Sequence, residues 1–141
     1  MDLRWKKEVL EASKRISKDY EEKFLKLVDQ ANNKCDLETA EILLKTFTNT
    51  PDYGTQERVI NVLSTAKDEV VIQAILKELP RLAKEAPEWA ESLIATELAK
   101  RPALLTKLAK NMDEEIRNVL LNLVHSKDFQ EFYPEAKEFK I

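Results

Sequence analysis

Apolar residues recur every three or four positions along almost the whole chain, which is the period of amphipathic helices. Trp5, Val9, Ala12, Ile16, Tyr20, Phe24, Leu27 and Ala31 draw one such stripe. Lys6, Lys7, Lys14, Lys18 and Lys26 fall largely off it. The pattern predicts one long helix over residues 2–31, ended by the turn-forming pair Asn32-Asn33. Asp36 then reads as an N-cap for a helix carrying Leu37, Ala40, Leu43, Leu44 and Phe47. The loop Asn49 to Gly54 breaks the pattern. Thr55 is expected to cap the next helix, with Val59, Ile60, Val62 and Leu63 inward. Asp68 is expected to cap a third, with Val71, Ala74, Ile75 and Leu79 inward and Pro80 kinking or stopping it. Ala86-Pro87-Glu88-Trp89-Ala90 marks a corner, because proline suits the first turn of a helix and Glu88 and Glu91 suit its positive end. Arg101-Pro102 and Asp113 open two more helices. Phe129, Phe132, Tyr133 and Phe139 crowd the tail, which predicts that it packs back onto the body.

Three of these segments resemble one another. Those led by Asp36, Asp68 and Asp113 each place apolar residues at their seventh, eighth and ninth positions, at spacings of 32 and 45 residues. That is the range of two-helix repeats, whose apolar faces are buried by stacking on neighbours. The expected fold is all-α, a HEAT-like α-solenoid of stacked antiparallel helix pairs in a single domain. Residues 1–31 form a long capping helix, residues 36–125 the repeats, and residues 126–141 an aromatic tail over the other end. A globular helical bundle is the alternative.

Composition supports the helical reading and narrows the chemistry. The chain has 141 residues and one glycine, Gly54. Tight hairpins and phosphate-cradling loops need glycine, so sandwich, dinucleotide-binding and nucleotide-triphosphate folds are poor fits. A net charge of −3 argues against general nucleic-acid affinity, which rests on lysine and arginine neutralising phosphates. One cysteine, Cys35, excludes an internal disulfide framework and fits a reducing compartment. No apolar run is long enough to cross a membrane, and the charged first twenty residues lack signal-peptide features. A cytoplasmic location without membrane association is expected.

Candidate chemistry is sparse. His125 and Cys35 are single residues of their kinds, too few for a metal shell or a triad. Asn122 stands where a Glu-x-x-His iron motif ending at His125 needs glutamate. Glu38 with Glu41, Asp19 with Glu22, and Glu85 with Glu88 and Glu91 share helix faces, but the faces are polar. Acid–base pairs need burial to separate their pKa values. These groups therefore read as solvated charge, with Glu85, Glu88 and Glu91 an alternative recognition patch. No cofactor or metal is expected. Trp5 reads as core. Trp89 lies over about 100° of the wheel from Ala90, Ile94 and Leu98, so it either fills the corner behind Pro87 or stands partly exposed beside Glu88. Asp52 and Tyr53, in the loop before Gly54, supply a possible binding anchor, tyrosine being favoured at interfaces.

Thr50-Pro51-Asp52 before a helix, Leu79-Pro80, and the Ala86-Pro87-Glu88-Trp89-Ala90 corner together resemble an α-helical class of bacterial immunity proteins. These are encoded beside polymorphic toxins, including contact-dependent growth inhibition systems. The likeness covers roughly residues 43–124. It implies a non-enzymatic, monomeric protein that binds the C-terminal domain of a cognate toxin in a 1:1 complex and occludes its active or substrate-binding surface. Such toxins are often nucleases with basic grooves, and Glu85, Glu88 and Glu91 would compete there with phosphate. Two other classes compete with this reading. One is a general HEAT-like protein-binding scaffold. The other is a base-excision enzyme on helical repeats, which needs a basic concave face that this acidic chain does not advertise.

Overall fold

The computed structural model describes residues 1–52 and 54–141, and every regular element among them is helical. In chain order these are α1 (Leu3–Ala12), α2 (Lys18–Gln30), α3 (Leu37–Leu44), α4 (Thr55–Leu63) and α5 (Asp68–Glu85). There follow α6 (Pro87–Lys100), α7 (Pro102–Lys110), α8 (Glu114–Val124), α9 (Lys127–Phe132) and a short 3-10 helix (Pro134–Glu138). The all-α expectation holds. No helix among the described residues is long and apolar enough to cross a membrane.

The centre of the molecule is α5. Asp68 and Glu69 sit at its positive end and Lys84 at its negative end, each favoured by the helix dipole. Between them Val71, Ile72, Ala74, Ile75, Leu76, Leu79 and Leu82 are all buried, more than one face of a helix can supply to a single neighbour. Accordingly α5 packs against α3, α6, α7 and α8. The three aspartate-led segments are α3, α5 and α8, and the middle one packs against both others. Beside them α1 packs on α2 and α3, α2 on α4, and α6 on α7. By contrast α4 and α6 do not pack closely against each other.

The single N-terminal helix expected over residues 2–31 is instead two helices, broken at residues 13–17. Arg15 takes a left-handed conformation with φ 48°, and the Ser17 side chain accepts from Tyr20 N to start α2. Ile16, assigned to the apolar stripe, is 74% exposed. The break folds α1 back along α2, so that Trp5 is buried and its indole N–H donates to Leu27 O at 2.8 Å. A continuous helix would have carried that apolar stripe away from its partner. The cap of α3 is as expected, Asp36 accepting from Thr39 N at 2.8 Å, and Asp113 accepts likewise from Ile116 N at 3.0 Å. Two other caps differ. Lys67 is the residue before α5, and Asp68 is already helical, its carboxylate turned to Arg101 at 2.6 Å. Gly54 precedes α4, and the Thr55 hydroxyl donates outward to Glu21 at 3.0 Å.

Pro80 does not stop α5, which continues through it to Glu85. The tail packs back as expected: Phe129 and Phe139 are buried, Tyr133 lies 5.0 Å from Phe129 between ring centroids, and Phe132 alone is 76% exposed. His125 Nε2 lies 3.2 Å from Phe139 O, tying the end of α8 to the last residues.

Candidate functional site

The corner at Pro87 and the loop before α4 meet in space, and the contact runs through two aromatic rings. Phe47, fully buried just past α3, faces Trp89 at 4.8 Å between ring centroids with the planes tilted by 45°. Trp89 is only partly buried. Both readings of Trp89 are thus met in part: one face fills the corner, and the rest borders open space.

Three polar residues hold this corner. Arg81, on α5, donates to Leu44 O at 3.2 Å and Phe47 O at 2.7 Å. A guanidinium there satisfies carbonyls at the end of α3 and meets the negative end of its dipole. Gln56 is 2% exposed and stitches the loop together. Its Oε1 accepts from Thr48 N at 2.6 Å, and its Nε2 donates to Thr50 O at 3.1 Å. Arg15 donates to Asp52 and, at 3.4 Å, to Thr48 Oγ1, and its guanidinium lies 5.7 Å from the Phe24 ring centre. Gly54 makes the final turn with φ 104°, a conformation other L residues rarely adopt.

Two adjoining cavities open from this corner along the seam between α4 and α6. The first, about 380 Å³, is bounded by the loop, Glu57, Glu88 and Trp89. The second, about 450 Å³, continues between the helices and shares Glu57, Trp89 and Ser92 with the first. Its apolar lining comes from Ile60 and Leu63 of α4, Val71 and Ile75 of α5, and Leu93 of α6. Asn61, Thr96, Lys100 and Arg101 complete its rim. Together they form one groove with α4 and α6 as walls and α5 contributing apolar side chains.

Of the residues singled out from the sequence, Asp52, Glu88 and Trp89 are brought together here. Tyr53 lies outside the described residues. Glu85 is exposed and engaged by Arg81 at 2.8 Å, and neither it nor Glu91 lines the groove. Asp52 is neutralised by Arg15 and holds the loop. The free negative charge of the groove therefore comes from Glu57 and Glu88, neither of which has an ion-pair partner among the described residues. At the far end Arg101 is held by Glu97 at 2.7 Å and by Asp68. The hydrogen bonds that Arg101 donates to Glu97 raise its pKa above the ordinary arginine value. Glu57 was missed by sequence reasoning, since nothing in one strand of pattern says that α4 and α6 face each other across a gap. Gln56 and Arg81 carried no signal at all, because their partners are backbone atoms distant in sequence.

Burial, with Asp36 alongside, pushes the Cys35 thiol up to about 11, so its reactive thiolate is scarce at neutral pH. Among the described residues no three His, Cys, Asp or Glu side chains converge as a metal ion requires. Comparison with family models finds none that matches the chain. Comparison with curated proteins and with solved structures likewise finds no significant match.

Proposed function

We propose that this chain is an immunity protein: a non-enzymatic, cytoplasmic inhibitor that binds one cognate toxin domain as a monomer and covers its active or substrate-binding surface. The observation that carries the reading is Trp89, partly buried beside a groove and flanked by Glu57 and Glu88, which lack ion-pair partners. Tryptophan at the edge of a preformed groove is a favoured anchor in protein–protein contacts. Uncompensated carboxylates beside it suit a basic partner and speed encounter. A nuclease toxin with a phosphate-binding surface has that chemistry. The resemblance of the Pro51 loop and the Pro87–Trp89 corner to immunity proteins points the same way.

The same reading includes a HEAT-like arrangement. In it α3, α5 and α8 form one row of a stack, with α1 extending it, while α2, α4, α6 and α7 form the second row. Close packing of α5 with both α3 and α8 supports this order. Such stacks present broad, rigid surfaces to partners.

Co-expression with the toxin domain encoded beside the gene tests the function. Rescue of growth together with a 1:1 complex supports it. A stable complex without rescue favours a general scaffold instead. The acidic ridge of Glu85, Glu88 and Glu91 is tested separately by replacing Glu88 and Glu91 with lysine: toxin affinity should fall while folding is retained, and unchanged affinity removes the ridge from the interface.

A further inference from the structure

The α4–α6 groove is graded in chemistry from end to end. Glu57 and Glu88 stand at the corner end beside the Trp89 ring, and neither has a cation partner among the described residues. The middle is apolar, walled by Ile60, Ile75 and Leu93. Lys100 closes the other end, while the neighbouring Arg101 is already occupied by Glu97 and Asp68. From Glu88 to Lys100 along α6 is about 18 Å at the rise of an α-helix. That is the length of about five or six extended residues.

We propose that this groove is the docking site for a short segment of a partner protein in which a lysine or arginine is followed by apolar side chains. The cation sits between Glu57 and Glu88 against the face of Trp89, gaining charge pairing and a cation–π contact. The apolar side chains follow onto the partly exposed Ile60 and over Ile75 and Leu93, which are already buried, so the surface removed from water is chiefly that of the incoming segment and of Ile60. An acidic segment is rejected at the corner end, where it would bury like charges together. The gap also explains why α4 and α6 stand apart while each packs well elsewhere, α4 on α2 and α6 on α5 and α7. The proposal rests on the protein-binding reading above and narrows it to one surface and one chemistry.

The test uses the full chain as bait for a displayed random-peptide library, with enriched peptides then titrated in solution against Trp89 fluorescence. Trp5, the other tryptophan, is buried away from the groove and provides a constant background. Enriched peptides should share a lysine or arginine beside apolar residues. Asn61, Ser92 and Thr96 are exposed groove-lining residues, so Asn61→Arg, Ser92→Arg and Thr96→Arg obstruct the groove without disturbing the core. Each should weaken peptide binding by about tenfold or more, the scale of a lost interface anchor. Glu57→Gln with Glu88→Gln should weaken basic peptides and spare uncharged ones, whereas Glu91→Gln should change neither. No enrichment over an unrelated bait, enrichment without a cation, or affinities indifferent to the obstructing variants would each overturn the proposal. So would concentration-dependent dimerisation abolished by Ser92→Arg, which would make the occupant a second copy of this chain. Toxin rescue that survives Ser92→Arg sinks the groove alone. Peptide binding that obeys the groove variants without any toxin rescue sinks the immunity reading alone.

Discussion

Replacing Arg81 with alanine should remove more stability than its position on a helix surface suggests. Arg81 makes two kinds of contact. The ion pair with Glu85 is one helical turn away and largely solvated, and such pairs contribute about 0.3–0.5 kcal/mol. The hydrogen bonds to the carbonyls of Leu44 and Phe47 differ: they are partly buried, and they join residues 37 and 34 positions apart in sequence. A hydrogen bond to a charged group contributes about 1.5–3 kcal/mol, and the carbonyls left behind lose part of their solvation. Because the two bonds share one donor group and remain accessible to some water, a total of about 2–3 kcal/mol is expected for Arg81→Ala. For a chain of this size that lowers the melting temperature by roughly 5–10 °C. Arg81→Lys should recover less than half, since an ammonium cannot reach both carbonyls with the planar fork of arginine. Glu85→Ala should change stability by less than about 0.5 kcal/mol. Urea denaturation followed by far-ultraviolet circular dichroism measures all three. Phe47, whose carbonyl accepts from Arg81, packs its ring against Trp89, so native Arg81→Ala should also show altered Trp89 emission before any unfolding. If Arg81→Ala loses no more than Glu85→Ala, the carbonyl contacts add no stability and the corner is held by its rings with Gln56 and Arg15.

Gly54→Ala meets no atom within 4 Å of the added Cβ, so its effect is the backbone term alone at φ 104°. A loss of about 1–2 kcal/mol is expected in urea titration, and a neutral outcome would refute the left-handed turn. Asp36 has its pKa lowered chiefly by the backbone N–H of Thr39. Its contribution is therefore present above the ordinary carboxylate pKa and lost as pH falls through the depressed value. Asp36→Asn, which keeps an acceptor, should flatten the acid limb of a stability–pH curve below about pH 4; an unaltered limb would assign it to other groups. Cys35 should react slowly with a disulfide reagent at pH 8 and rapidly once the chain is unfolded, and fast native labelling would contradict its burial.

Periodicity made most of the helices legible because each has a face to bury: Ala40, Leu43 and Leu44 of α3 and Val71, Ala74, Ile75 and Leu79 of α5 are buried as expected, while Leu37 is only partly so. What periodicity cannot register is a break that leaves the stripe in phase. Trp5, Val9 and Ala12 are followed by Phe24 and Leu27 at helical spacing, so the reversal at Arg15 is invisible to the wheel. Ser17 was the available signal, a capping residue two positions before the acidic Asp19. Likewise Asp68 and Thr55 have the right chemistry for caps, but Arg101 and Glu21 claim their side chains from across the fold. Pro80 is tolerated within α5 although proline removes a donor, because neighbouring helices hold both halves of α5. Of the site, the sequence announced the corner: Pro87, Trp89 and Glu88. Its other wall was silent, since Glu57 looks like any solvated glutamate until α4 is placed opposite α6.

The separation of α4 from α6 has a mechanical side. One wall of the groove is braced by α2 and α3, the other by α5 and α7, and little bridges them directly. The Phe47–Trp89 ring contact ties the walls together at the corner, whereas beyond it α4 and α6 are not closely packed on each other. A segment entering the seam would therefore meet walls joined at one end and unpacked along the rest. Discrimination among partners of similar sequence would then reside at the Glu57–Trp89–Glu88 end, where Arg15, Gln56 and Arg81 hold the frame still.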